Sequence, residues 1–146
     1  MDRLKGKVAI ITGGNSGVGE ATAKMFAKEG ATVVITARRE AALEKVAEEI
    51  KAAGGEVFAV STDISKKGDP ERLMDLVIEK YGKVDILVNN AGILEEGLKP
   101  IDRFSDEDLD RIIETNEKGT MRCMRAASQK MQAGASIVNC LLYTSD

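Results

Sequence analysis

The string Val8-Ala9-Ile10-Ile11-Thr12 runs straight into Gly13-Gly14-Asn15-Ser16-Gly17-Val18-Gly19, and a helix-forming stretch from Ala21 to Glu29 follows at once. The apolar run has no polar face, so it predicts a strand buried on both sides. A strand that turns on glycines into a helix aims free backbone N–H groups and the helix dipole at one point. That point suits a pyrophosphate. Gly13 permits the sharp exit from the strand, and Gly17 and Gly19 let backbone and helix approach closely. Asn15, Ser16 and Val18 complete the turn and count with the glycines as candidate contacts. The bland reading of the same string is a tight turn and nothing more.

The rest of the chain repeats the alternation of strand and helix. Strands are predicted at about 7–12, 32–36, 56–61, 84–89 and 135–139, and helices at about 17–29, 40–53, 70–81 and 105–132. Gly30 and Gly54-Gly55 close two helices. Asp69-Pro70-Glu71 reads as an N-cap with proline at the first helical position, and Ser105-Asp106-Glu107-Asp108 as a capping box. The fold class that follows is α/β, a doubly wound parallel sheet in the order 3-2-1-4-5. Ligands of such sheets lie beyond the carboxyl ends of the strands, near the switch point between strands 1 and 4. Each further motif falls at such an end or just after it.

The second strand ends Val33-Val34-Ile35-Thr36-Ala37-Arg38-Arg39. About 20 residues past a glycine turn, an NAD site places an acidic side chain on the ribose 2′-hydroxyl. Thr36 and two arginines stand there instead. Arg38 can hold a 2′-phosphate by charge-assisted hydrogen bonds, which favours NADP(H), with NAD(H) the alternative. The plain reading of the arginines is solvated charge at a helix start. Asp63, after the third strand, can accept from the exocyclic amine of adenine; aspartate is also an ordinary turn residue. Asn89-Asn90-Ala91-Gly92 closes the fourth strand. Its amides can tie neighbouring strands, and its small residues let the backbone pass close to a ligand. Asn116 falls on the inward stripe of the long fourth helix, marked by Leu109, Ile112, Ile113, Thr120, Cys123, Met124 and Ala127. An amide there needs partners, which points to an internal water or a catalytic network, or else to a local bond to backbone. The charged face Glu44 to Lys51 reads as a solvated helix surface.

Composition narrows the classes. A net charge of −3 leaves no electrostatic footprint for nucleic acid or an anionic membrane. The chain has no histidine, which excludes serine–histidine hydrolysis and histidine-bound metal, and its residue types suggest no metal. Two cysteines make no disulfide framework and agree with a cytoplasmic setting. No apolar stretch is long enough to span a membrane, and the first residues carry no apolar signal core. The glycine spacing differs from the Gly-x-Gly-x-x-Gly of other dinucleotide sites, and no Lys-Ser/Thr follows it, so it is not an ATP or GTP P-loop.

Taken together, Thr12-Gly13-x-x-x-Gly17-x-Gly19, Asp63, Asn89-Asn90-Ala91-Gly92 and Asn116-x-x-Gly119 resemble the short-chain dehydrogenase/reductase family in its ordinary single-domain branch. The match covers residues 6 to about 139. The resemblance implies a Rossmann-type fold and hydride transfer between NAD(P)H and a small-molecule carbonyl or alcohol, such as a 3-oxoacyl thioester or a hydroxysteroid. It places adenine near Asp63 and Ile64, brings Asn90, Ala91 and Gly92 to the cofactor, and gives Asn116 a catalytic part in a water-mediated proton relay. It also implies a homodimer or homotetramer for the full-length parent.

The family further uses a serine after strand 5 and a Tyr-x-x-x-Lys, neither of which this chain carries in place. Tyr143 and Ser145 fall off the pattern. The closing string Cys140-Leu141-Leu142-Tyr143-Thr144-Ser145-Asp146 resembles an in-frame translation of a sequencing adapter, so 140–146 reads as a non-native tail on a dinucleotide-binding domain of residues 1–139. Such a fragment leaves strand 5 as an open edge and is expected to be marginal in solubility and without turnover, with weak cofactor binding surviving. Two other readings stand beside the oxidoreductase. A non-catalytic dinucleotide-binding module is the first. A methyltransferase is the second, disfavoured by the missing carboxylate at the end of strand 2. The substrate-facing segment Ile93 to Pro100 is chemically generic.

Overall fold

The computed structural model describes residues 2–93 and 99–140. Segments 94–98 and 141–146, which include most of the pocket-bordering stretch and of the terminal string, lie outside the described residues. Five strands, β1 (Val8–Thr12), β2 (Thr32–Ala37), β3 (Glu56–Ser61), β4 (Ile86–Asn89) and β5 (Ser136–Asn139), form one parallel sheet in the order β3-β2-β1-β4-β5. Between them run α1 (Gly17–Lys28), α2 (Glu40–Ala52) and α3 (Asp69–Tyr81). The connection from β4 to β5 carries α4 (Asp106–Ile112), a π-helical turn (Ile113–Gly119) and α5 (Thr120–Ser128). The sheet order and fold class are those the sequence predicts.

All five residues of β1 are buried, as a central parallel strand requires. Its side chains alternate between two cores. Ile10 joins Val34, Leu73, Met74, Leu87 and Cys123 under α3 and α5. Ile11 joins Val33, Ile35, Leu43, Val46 and Val88 under α1 and α2. Each fully buried aliphatic side chain of this kind contributes roughly 1.5–3 kcal/mol. At the amino end Val8 and Asp85 exchange two bonds: the Val8 N–H donates to Asp85 Oδ2 at 2.8 Å, and the Asp85 N–H donates to the Val8 carbonyl at 2.9 Å. They set β1 in register with the chain entering β4. Burial raises the Asp85 carboxyl, but the Val8 amide and Lys83 together hold it below the usual carboxylate range. Cys123, on the buried face of α5, is fully buried, and burial pushes its thiol up to about 12, so it is core filling and not a nucleophile. No helix among the described residues is long and apolar enough to cross a membrane.

Two helix boundaries differ from the sequence reading. Asp69 is the first residue of α3 rather than its N-cap; Gly68 holds that place at φ 90°, where a glycine is favoured. Asp69 instead accepts from the Asp63 N–H at 2.8 Å and from Arg72 Nε at 3.2 Å. The single long fourth helix is three pieces, ending at Ser128. The π turn is wider than an α turn, so it changes the phase of the helix. A straight stripe drawn back from Cys123 therefore misses: Leu109 and Ile113 are 40% and 41% exposed, and Asp108 is buried in their stead.

The capping box at the start of α4 is formed. Ser105 Oγ accepts from the Asp108 N–H at 3.1 Å, and Asp108 Oδ2 accepts from the Ser105 N–H at 3.0 Å and from Lys99 Nζ at 2.9 Å. The Ser105 amide, then Lys99, lower the Asp108 carboxyl to about 2. A carboxyl depressed in the fold stabilises above its unfolded pKa and loses that stabilisation as pH falls. The start of α4 is therefore expected to fray between about pH 4 and about pH 2, before the sheet does. Carbon chemical shifts of Asp106–Ile112 through an acid titration check this. The same transition in Asp108→Asn would overturn it.

Candidate functional site

The chain leaves β1 through Gly13 at φ 66° and enters α1 through Gly17 at φ 54°, both in the left-handed region. Helix α1 then comes down onto the turn. A Cβ on Gly19 would stand 2.1 Å from the Gly13 carbonyl oxygen and 2.5 Å from Asn90 Nδ2, so no side chain fits there. Ser16 holds the N-cap in extended conformation, yet its hydroxyl makes no capping bond. The leading N–H groups of α1 are thus open to an outside acceptor.

Thr12 holds the opposite lip. Its buried Oγ1 accepts from the Asn90 N–H at 3.0 Å and the Ala91 N–H at 2.9 Å, while Asn90 Nδ2 donates to the Gly13 carbonyl at 3.2 Å. The ends of β1 and β4 are locked together at the switch point. Asn89 is buried and its Nδ2 donates to Asn139 Oδ1 at 2.9 Å, bridging β4 to β5. The two adjacent asparagines serve different neighbours because successive side chains of a strand point to opposite sides.

On the far wall, Asp63 Oδ1 accepts from the Ser65 N–H at 3.0 Å and from the Ser65 hydroxyl, an Asx turn that shapes the loop after β3. The hydroxyls of Thr36 and Thr62 bond to each other at the ends of β2 and β3. Arg38 and Arg39 are exposed at the rim, and Ser61 Oγ donates to the Arg38 carbonyl at 3.0 Å. Asn116 sits in the π turn. Its Oδ1 accepts from the Ile93 N–H and its Nδ2 donates to the Ile93 carbonyl, both at 2.8 Å. The partners of this amide are therefore one residue's main chain, not a network of side chains.

These groups surround one cleft of about 250 Å³ at the carboxyl ends of the strands. Gly13, Asn15, Ser16, Arg38, Asp63, Ile64, Asn90, Ala91 and Gly92 are on its walls. Gly17, Val18, Gly19 and Asn116 are not; Val18 is 67% exposed, and Gly19 and Asn116 support the walls from behind. The cleft also takes in Thr12 and Thr36, which the motifs contain but give no role, and Thr62 and Thr115, which motif reading passes over. A threonine at a strand's carboxyl end was the available signal, since its hydroxyl can replace ladder partners that the backbone there loses.

Residues 7–141 match the short chain dehydrogenase family. The chain belongs to that family. Among its relatives, an uncharacterized oxidoreductase of Methylorubrum extorquens is 37% identical over all of this chain and 58% of its own length. The 3-oxoacyl-[acyl-carrier-protein] reductase of Thermotoga maritima is 37% identical over 94% of this chain and 56% of its own. A short chain dehydrogenase from Burkholderia cenocepacia, solved in complex with NADP, superposes with a TM-score of 0.87 at 35% identity, covering 94% of this chain and 56% of its own. The chain spans about half the length of the curated relatives it matches. In this short-chain dehydrogenase chain the glycine turn follows β1, at the centre of the described sheet.

The two glycines of that turn are required for different reasons, and substitution separates them. Gly19→Ala drives a Cβ into backbone and is expected to cost about 3 kcal/mol. Gly17→Ala meets no atom within 4 Å and pays only for its left-handed φ, about 1–2 kcal/mol. Urea unfolding of both variants checks the order, and a Gly17→Ala more damaging than Gly19→Ala would contradict it.

Proposed function

We propose that the cleft binds a nicotinamide dinucleotide, with NADP(H) preferred over NAD(H), and that the protein serves carbonyl reduction or alcohol oxidation on a small molecule. The observation that carries this reading is the convergence of four separate chain segments on one cleft: the glycine turn, the end of β2 with Arg38, the Asp63–Ile64 loop and the Asn90–Ile93 loop. The fit of residues to cofactor rests on the same geometry. The uncapped start of α1 and its glycines would take the diphosphate. Arg38 would take a 2′-phosphate, Asp63 and Ile64 the adenine, and Asn90, Ala91 and Gly92 the remainder. The dinucleotide, when bound, supplies the hydride donor or acceptor of the reaction.

This chain's own residues bind and orient. The main-chain N–H groups at the uncapped start of α1 would neutralise anionic oxygens without bringing a mobile side chain. Arg38 sits exposed at the solvent rim, where it can meet a phosphate, and no carboxylate among the described residues pairs with it. Asn116 would position Ile93 and the loop it belongs to, and through that loop a proton relay. No Tyr-x-x-x-Lys occurs in the chain, so binding without turnover is the expectation for these 146 residues taken alone. One relative bears the name of a 3-oxoacyl thioester reductase, which supports a ketone substrate of that kind for the complete protein. The exposed Leu109, Ile113 and Met121 support self-association through the α4–α5 face.

Titration calorimetry with the two cofactors tests the reading. Arg38→Ala should weaken NADPH about tenfold or more and leave NADH within about twofold, since it removes charge-assisted bonds made only to the 2′-phosphate. Equal loss for both cofactors, or no heat with either on the unsubstituted chain, would remove the assignment.

A further inference from the structure

One turn of backbone bears on both walls of the cleft. The π turn holds the Ala91–Ile93 wall through the two 2.8 Å bonds of Asn116 to Ile93. Its other end bears on the wall after β3. Gly119 lies so close to Ile64 that a Cβ would stand 2.8 Å from Ile64 Cγ1 and 3.0 Å from the Ile64 carbonyl oxygen. Arg122 follows on α5, its side chain only 12% exposed. Its Nη1 donates to the Ser65 carbonyl oxygen at 3.0 Å and to Glu114 Oε2 at 3.0 Å. Lys118 holds the other oxygen of Glu114 at 2.7 Å. Ser65 in turn is bonded to Asp63 through both its amide and its hydroxyl. A continuous path of polar contacts therefore runs from Glu114 through Arg122 and Ser65 to Asp63.

We propose that Arg122 is a positioning residue for the adenine side of the cleft: it holds the Ser65 carbonyl, and through the π turn it sets the Asp63–Ile64 wall at a fixed distance from the Ile93 wall. Arg122 itself is absent from the cleft lining, so its action is on the loop and not on a ligand. The inference rests on the dinucleotide reading above. It adds that the width of the cleft is set by a helix at its back. The guanidinium suits this task because it donates to a carbonyl and a carboxylate at once from a planar, always charged group. Gly119 suits it because a larger residue would push the loop outward.

The test uses the 146-residue chain and 2′,5′-ADP, which probes the adenine side alone, with amide hydrogen exchange as a second readout. Arg122→Met keeps the alkyl stem and removes the donors. It is expected to raise the Kd for 2′,5′-ADP about five- to tenfold, on the scale of one lost charge-assisted hydrogen bond. Faster exchange should be confined to residues 62–67, with β1 and β2 unchanged. Arg122→Lys, which restores one donor, should recover part of the affinity. Glu114→Gln, a surface change outside the core, should move the same two readouts in the same direction by about twofold. An unchanged Kd in Arg122→Met, acceleration spread over the whole sheet, or no recovery in Arg122→Lys overturns the inference. If Arg122→Met does not fold, an unchanged Kd in Glu114→Gln overturns it. An unsubstituted chain that binds neither NADPH nor 2′,5′-ADP instead defeats the dinucleotide reading, and that failure is seen before any variant is compared.

Discussion

The Thr12 hydroxyl is the contact on which the geometry of the cleft depends. In an open parallel sheet the neighbours of a strand part company at the switch point, and the backbone beyond it loses its ladder partners. Thr12 is 1% exposed and accepts two N–H groups, from Asn90 and Ala91, at that place. Asn90 adds its own bond back to the Gly13 carbonyl. Without these bonds the two halves of the sheet would still pair along Ala9–Ile11, but the glycine turn and the β4 loop would not be held at one separation. A donor left unpaired here would cost about 1–3 kcal/mol, comparable with burying a leucine.

The cleft that results is lined mainly by main chain and short polar side chains. Among the described residues, charge stands at its rim, in Arg38 and Arg39, and in the loop at Asp63. This distribution has a physical logic. Buried charge would need partners and would titrate, whereas N–H groups at a helix start present a fixed partial charge at every pH. The depressed Asp108 and the raised Cys123 both lie off the cleft.

Much of this was legible in the sequence. The sheet order follows from five apolar runs separated by amphipathic segments, because burial on both faces and right-handed crossovers leave few alternatives. The glycine turn and Asn90 were legible because sterics restrict what can stand there: no Cβ fits at Gly19, and the Asn90 amide reaches the Gly13 carbonyl. The threonines were not. Thr36 and Thr62 sit 26 residues apart and meet only because β2 and β3 pair in register, a fact of the third dimension. Asp69 was misplaced by one residue because Asp and Gly68 both make credible helix starts, and only the left-handed φ at Gly68 decides between them.

The π turn was invisible for a deeper reason. Periodicity analysis assumes a constant rotation per residue, and a π turn breaks that constancy while leaving composition untouched. Yet the turn is what lets one helix address two loops. Asn116 must reach the loop after β4, while Gly119 and Arg122 must reach the loop after β3, and these loops stand on opposite sides of β1 in the sheet order. The altered phase also leaves Leu109 and Ile113 facing outward. Poorer helical hydrogen bonding and exposed apolar surface are real costs in stability, and the contacts to Ile93, Ile64 and Ser65 are the structural return that offsets them. A helix shaped by what it must touch, more than by its own periodicity, is the part of this fold that a one-dimensional reading is least able to see.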